Sequence, residues 1–470
     1  MARSLRDASG DLFRPGLRLG VTGLSRSGKT VFTTALVHHL IGGHSGLSAF
    51  RAAAEGRLRR AVLTPQPDDA VPRFPYERHI YSLTHERCWP ASTTQISELR
   101  LDIEYERRKG WRTGPGHLVL DIVDYPGEWL LDLALLDVSY PEWSQRTIAS
   151  SRRADRADVS GAWLASLDDL DPDKPADEMA AAKASALFKD YLVALHAKPQ
   201  AVATMPPGRF LMPGDLAGAP ALTFAPLALQ PGQGPTAGSL AQLMERRFEA
   251  YKQHVVRPFF RDHFQRVDRQ IVLVDVLSAL DAGPAAVAEL EEALDQVLLA
   301  FRIGRNTMLS RIFSPRADRV LFAATKADHI HHTQHDRLEA LLRFLVARAA
   351  RRTEAAGARV GTLALASVRA TRETTVRGGF QVLRAVSGTP EAGEHLGEER
   401  FDGESEAAIF PGELPEEPSA VIHGAIKPGS FRFPRFRPSK LSSTHASRFE
   451  GLPHIRLDRA LEFLIGDRLV

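Results

Sequence analysis

Phosphate-binding chemistry is written into residues 23–30. Gly23-Leu24-Ser25-Arg26-Ser27-Gly28-Lys29-Thr30 has the spacing G-x-x-x-x-G-K-[ST]. In such a loop the backbone N–H groups converge on phosphate oxygens at a helix N-terminus, where the macrodipole also favours an anion. Glycines at 23 and 28 let the backbone approach without a Cβ. Lys29 is placed to reach the β- and γ-phosphates and Thr30 to set its hydroxyl on Mg2+. Ser25, Arg26, Ser27, Gly28 and Val31 complete the candidate nucleotide contacts of this loop.

A carboxylate for the metal comes from "DYPGEW", which begins at Asp124. Asp124 can hold Mg2+ through water, and the backbone N–H of Gly127 can meet a γ-phosphate. D-x-x-G alone is common by chance; its place at the end of an apolar strand supports it. Asp121 competes, but strand alternation turns Asp121 and Asp124 to opposite faces, and the glycine three residues on favours Asp124. Base selection falls to Thr325-Lys326-Ala327-Asp328. The Asp328 carboxylate can accept from N1 and N2 of guanine, a donor pair adenine lacks, while the Lys326 stem packs along the base. Ser367 and Val368, at the next strand end, offer a backbone N–H to guanine O6.

These residues need a scaffold that sets them along one edge. "LRLGVTG" alternates as a short buried strand, and Phe32, Ala35, Leu36, His39 and Leu40 repeat at helical spacing after Lys29, so the glycine pattern falls on a strand–loop–helix junction. "ELRLDIEYE" and "GHLVLDIVD" read as a strand pair joined by a hairpin-type connection. "QIVLVDVL", "RVLFAATKADH" and "VGTLALASVRAT" then alternate with helical stretches marked by Val287, Leu290, Leu294 and Val297, and by Leu338, Leu341 and Leu345. Such alternation predicts a mainly parallel sheet covered on both faces. Between the two halves, 128–268 reads as mostly helical, with Met244, Phe248, Tyr251 and Val255 on one stripe. It contains a Pro- and Gly-rich stretch too apolar for a linker, expected to be ordered but irregular.

Composition narrows the class. The 470 residues are 44% hydrophobic and 25% charged with a net charge of +3, the balance of a globular protein without the clustered basic surface of a nucleic-acid binder. A single cysteine, Cys88, permits no internal disulfide and suits a reducing cytoplasm. No secretory h-region and no apolar run long enough to span a bilayer are expected. The histidines of "HIHHTQH" (His329, His331, His332 and His335) have metal-like spacing, but without a neighbouring cysteine or paired carboxylate they read as a solvated loop. No Ser-His-Asp or H-E-x-x-H arrangement is evident.

Taken in order, the motifs resemble those of translation-factor-related regulatory GTPases, whose second strand runs antiparallel and whose base motif is [NT]-K-x-D. More closely, "GLSRSGKT", "DYPGEWLLDL", "ATKADH" and "SVRAT" resemble the YcjX-like stress-associated GTPases of bacteria, over most of the chain. The resemblance implies a switch threonine before the second strand; Thr93 and Thr94 are the candidates, and Thr94 is chosen as metal ligand and catalytic residue. It also implies a stress-response setting and a membrane-associated protein partner. Two departures stand out. Glu128 occupies the position where small GTPases carry a water-orienting glutamine; it is either a general base or a helix-start acid. Arg26 stands where potassium-dependent GTPases have asparagine, and its cation could offset transition-state charge in cis.

The expected fold is an α/β P-loop G domain with a mostly parallel sheet, interrupted by a large helical insertion. The boundaries are 15–127 and 269–385 for the G domain, 128–268 for the insertion, and 386–470 for a C-terminal extension packing on the body. The expected activity is GTP and GDP binding with slow Mg2+-dependent GTP hydrolysis used as a switch, in the cytoplasm or peripherally at the inner membrane. No nucleic-acid partner is expected. An ATP-hydrolysing P-loop enzyme or kinase, and a nucleotide-regulated scaffold with negligible turnover, are the alternatives.

Overall fold

The computed structural model describes residues 16–470 apart from 25, 43–45, 92, 94, 109–113, 199–204, 231, 233, 264–265, 300–316, 422–428 and 441–450. The described residues divide into two compact units, one drawn from 16–126, 267–288 and 317–470 and the other from 127–266 and 289–299.

The first unit is built on a seven-stranded sheet of β1 (Gly16–Gly23), β2 (Leu58–Thr64), β3 (Ser97–Glu106), β4 (Pro115–Asp124), β5 (Arg269–Val274), β6 (Arg319–Ala324) and β7 (Arg359–Ala364). Its order is β2-β3-β4-β1-β5-β6-β7. β1 pairs in parallel with β4 and β5, and β5–β6–β7 continue in parallel. The β2–β3 and β3–β4 pairs are antiparallel. Central β5 is buried at every position, which its Ile-Val-Leu-Val run permits and a strand with one wet face would not. The result is an α/β fold with a mostly parallel sheet flanked by helices, as the strand–helix alternation predicts.

Helix Lys29–Ile41 follows β1 directly and buries ten of its side chains. Phe32, Leu36 and Leu40 join Leu19, Val21 and Ile271 in one apolar core. Helix Leu457–Ile465, near the end of the chain, reaches the same core through Leu457, Leu461, Leu464 and Ile465, each under 1% exposed. Its polar face is tied down too, the Ala49 N–H donating to the Asp458 carboxylate at 2.8 Å.

Beyond β7 the chain makes β8 (Arg372–Gly378) and β9 (Gln381–Gly388), an antiparallel hairpin. A two-residue pair follows, β10 (His395–Leu396) with β11 (Glu399–Arg400), and then β12 (Ala407–Ile409), which adds to β9 in a small three-stranded sheet. That sheet closes its own apolar cluster of Ala370, Val386, Phe401, Ile409 and Phe436.

The second unit is helical. Helices Tyr140–Ser151, Ala157–Asp168, Glu178–Ala197 and Leu240–Tyr251 surround an aromatic core. Trp143 stacks on Phe248 at 5.0 Å, Trp163 on Tyr191 at 5.1 Å, and Phe224 meets Phe210 edge-on at 4.8 Å. Phe210 and Phe224 come from the Pro- and Gly-rich stretch, which makes only short 3-10 turns yet buries its aromatics. No described helix is long and apolar enough to cross a membrane.

Candidate functional site

The parallel strands bring the candidate residues to one edge, their C-terminal ends, where open α/β sheets bind ligands. Gly23 closes β1, Asp124 closes β4, Thr325 follows β6 and Ser367 follows β7.

Local geometry explains the glycines of the phosphate loop. At Gly23, φ is +149° and a Cβ would lie 2.4 Å from the Leu273 carbonyl oxygen, so no other residue fits between β1 and β5. Gly28 caps helix Lys29–Ile41 in the left-handed region, at φ 88°. Arg26 also takes a left-handed backbone, φ 59°, an uncommon choice for a residue with a Cβ, and its side chain is exposed. Lys29 is 7% exposed and curls over its own loop, its Nζ donating to the Gly23 and Leu24 carbonyls at 3.0 Å each. Val31 packs against the core at the base of the loop. Ser25 lies outside the described residues.

The candidate metal corner is a chain of oxygens. The Thr93 hydroxyl donates to Asp124 Oδ2 at 2.6 Å and lies 3.0 Å from the Thr30 hydroxyl. Asp124 is 1% exposed, and burial raises its carboxyl to about 6, the Lys29 charge and the Thr93 hydrogen bond pulling the other way. Its second oxygen, Oδ1, is buried with no hydrogen-bond partner among the described residues. A buried, unpaired carboxylate oxygen beside two hydroxyls is a donor set suited to a hydrated Mg2+, so these residues fit that ion. Asp121 takes no part. It sits opposite Arg100 in the β3–β4 register and is gripped through Nε at 2.6 Å and a terminal nitrogen at 3.0 Å. Thr94 lies outside the described residues, and Thr93 is the described member of the pair. The segment before it is anchored by Trp89, whose Nε1 donates to the Phe436 carbonyl at 2.6 Å.

Thr325, Lys326 and Asp328 form a second corner. Thr325 N–H donates to the Val274 carbonyl at 2.9 Å, tying the loop to the end of β5. Lys326 adopts φ 59° and pairs its ammonium with Asp275. Asp275 is a residue that sequence reasoning missed. Burial pushes its carboxyl up, but the Lys326 charge, the hydrogen bond from Lys326 and those from Ser278 outweigh that and hold it below its usual range. The signal available was an Asp-x-x-Ser helix start directly after β5, since Asp275 accepts from the Ser278 N–H at 3.1 Å. Asp328 is 4% exposed and accepts from the Ala370 N–H at 2.7 Å through Oδ2, while the Thr371 hydroxyl donates to its carbonyl. The loop bearing Ser367 and Val368, both nearly buried, is therefore stitched to the loop bearing Asp328.

Gly127 and Glu128 open the helical unit. Both are buried in helix Gly127–Leu131, Glu128 at 4% exposure, and the Glu128 backbone lies against Gly208. Next to them Asp132 accepts from the Gly208 N–H at 2.7 Å and the Tyr251 hydroxyl at 2.6 Å, and burial raises its carboxyl to about 6.

The glycine-rich loop 23–30, the buried Asp124 and Asp328 stand at the C-terminal ends of β1, β4 and β6 in that chain order. The model of the YcjX-like family, DUF463, matches residues 17–469. A Ras-like GTPase YcjX from Escherichia coli (strain K12) is 39% identical over 470 residues, covering 96% of each chain. A Ras-like GTPase YcjX from Shewanella oneidensis (strain MR-1) is 35% identical over 484 residues, covering 96% of this chain and 94% of the relative. With its motifs set along one end of the sheet and residues 17–469 matched, the chain belongs to the YcjX-like family.

Proposed function

We propose that this protein binds GTP and GDP, hydrolyses GTP slowly with Mg2+, and uses the difference as a switch. The observation that carries the reading is the run Thr30–Thr93–Asp124, buried at Thr30 and Asp124 and half-buried at Thr93, beside Lys29 and at the same end of the sheet as Asp328. Mg2+ held by Thr30 and Asp124, with Thr93 or Thr94 completing the set, would neutralise charge on the β- and γ-phosphate oxygens. Lys29 exchanges its loop carbonyls for those oxygens. Ser27, Gly28 and the neighbouring amides hold the phosphates at the helix N-terminus. Asp328 accepts from the guanine N1 and N2 donors, Lys326 packs on the base, and the Ser367–Val368 backbone donates to O6. Gly127 supplies an amide to the γ-phosphate, Arg26 a cation in cis, and Glu128 a polar group at the start of the output segment.

The G domain of this reading is 15–127 with 269–385. The insertion 128–268 is its output element because it continues directly from Gly127, and 386–470 is the C-terminal extension. The family resemblance alone extends the reading to a bacterial stress response with a protein partner at the inner membrane.

A nucleotide panel on wild type and Asp328→Asn, with phosphate release, tests it. The expected result is tighter GTP and GDP than ATP, a loss of at least about tenfold for guanine nucleotides in the variant, and release abolished by Lys29→Ala. Preference for ATP would overturn the base assignment; tight binding with release no faster than Lys29→Ala would leave a scaffold.

A further inference from the structure

The histidine-rich run 329–335 divides into two parts. His329 is buried against Phe436, ring centroids 5.2 Å apart, and His335 uses Nε2 on the Ala327 carbonyl at 2.9 Å. His331 and His332 instead turn toward β8, where Glu373 is the second residue.

We propose that His331, His332 and Glu373 form a binding site for a first-row transition cation, with zinc as the best chemical match. One ligand atom from each lies within 4.8 Å of the others. Glu373 Oε2 is 2.7 Å from His332 Nδ1 and 3.7 Å from His331 Nε2. Metal–ligand bonds of about 2.0–2.2 Å in a tetrahedron put neighbouring ligand atoms about 3.4 Å apart, so small side-chain adjustments admit the ion.

The remaining polar atoms hold the ligands in place. Glu373 Oε1 accepts from the His332 backbone N–H at 3.0 Å, which leaves Oε2 for the shared point. His331 Nδ1 accepts from the Thr333 backbone N–H at 3.4 Å and lies 3.0 Å from the Thr333 hydroxyl; ligation through Nε2 moves the ring proton to Nδ1, where the hydroxyl oxygen can accept it in place of the backbone contact. Two imidazoles and one carboxylate select zinc, cobalt, nickel or copper over magnesium and calcium, which prefer all-oxygen shells. His332 is 62% exposed on its side chain, so water can reach a fourth position and the cation can exchange. The site would clamp residues 331–332 to β8, next to the Ala370–Asp328 hydrogen bond, but its existence does not depend on the nucleotide reading.

The test is calorimetric titration of the full chain with Zn2+, after chelator treatment and in excess Mg2+ to occupy the Asp124 corner. A parallel Co2+ titration is followed by visible absorption. One zinc per chain is expected, weakened at least about tenfold by His331→Ala and by Glu373→Gln, with intense tetrahedral cobalt bands lost in both. His85→Ala, an exposed histidine elsewhere, should bind as wild type. Thermal melts check that each variant is folded; because the ligands lie at the surface, little change is expected. Absence of stoichiometric zinc binding by the wild type, or equal binding by folded His331→Ala and Glu373→Gln, overturns the proposal and leaves only a hydrogen bond between His332 and Glu373.

Discussion

Thr93 and Asp124 share a hydrogen bond of 2.6 Å, and the same hydroxyl reaches Thr30 at 3.0 Å, so the phosphate loop and the end of β4 meet through one side chain. A hydrogen bond to a charged group contributes about 1.5–3 kcal/mol. If Thr93 supplies the switch hydroxyl, Thr93→Ala should weaken a non-hydrolysable GTP analogue by about 10- to 100-fold in Mg2+ and GDP far less, because a switch hydroxyl turns from its protein partners to Mg2+ only when a γ-phosphate is present. Thr93→Ser should recover most of the loss. Fluorescent-nucleotide titration of Thr93→Ala beside Thr94→Ala decides between the neighbours, and loss in Thr94→Ala alone assigns the role to Thr94.

Lys326 holds a left-handed backbone conformation while its ammonium is fixed by Asp275. In the proposed guanine site, where Lys326 packs on the base, breaking that pair would leave the lysine free to swing away. Asp275→Asn keeps an acceptor for the Ser278 N–H and so keeps the helix start. The expected outcome is GTP and GDP weakened equally, by about tenfold, consistent with loss of one charge-assisted contact. Equal titration curves for wild type and variant would mean the pair is only structural.

The parts of this site that are local in sequence were the legible ones. The phosphate loop and the base motif each fit within eight residues, and the apolar runs of β1, β4, β5, β6 and β7 mark the strands that end beside them. What escaped depends on distance. Asp275 meets Lys326 across 51 positions and Glu373 meets His332 across 41, and no spacing rule joins them. β2 escaped because Leu-Arg-Arg-Ala-Val-Leu-Thr sits at the sheet edge and exposes both arginines, which blurs the alternation. The β8–β9 hairpin escaped for the same reason, since most of its residues are outside the core. Thr93 and Thr94 are adjacent, and spacing cannot rank adjacent residues.

Asp132 gives the helical unit a pH dependence of known sign. Its carboxyl is raised from 3.8 in the unfolded chain to about 6 in the fold, chiefly by burial. The folded state therefore binds the proton more tightly, and the stability this contributes is complete below pH 3.8 and lost as pH rises through 6. Asp124 is raised in the same direction and cancels when wild type is compared with Asp132→Asn. Between pH 7 and pH 5 the wild type should gain about 1 kcal/mol relative to the variant, read as the difference in Tm or denaturation midpoint. A difference that does not move with pH would show that Asp132 titrates at its ordinary value.

Two glycines of the helical unit should respond to alanine with opposite signs. Gly208 donates its N–H to Asp132 at 2.7 Å, and a Cβ there would lie 2.1 Å from the Glu128 carbonyl oxygen and 2.4 Å from its carbon. Those atoms are backbone and cannot rotate aside, so the 208 turn or helix Gly127–Leu131 must shift, and the hydrogen bond to Asp132 with it. Overpacking of this kind costs about 1–3 kcal/mol, which for a chain of 470 residues unfolding as one unit is a Tm lower by about 1–3 °C. Gly161 lies inside helix Ala157–Asp168, exposed, with nothing within 4 Å of its would-be Cβ. Alanine there removes unfolded-state freedom and should stabilise by about 0.5–1 kcal/mol. Melting both variants under one set of conditions checks the pair. A Gly208→Ala protein as stable as wild type would mean that the contact between the 208 turn and the Glu128 backbone is looser than the 2.1 Å approach requires.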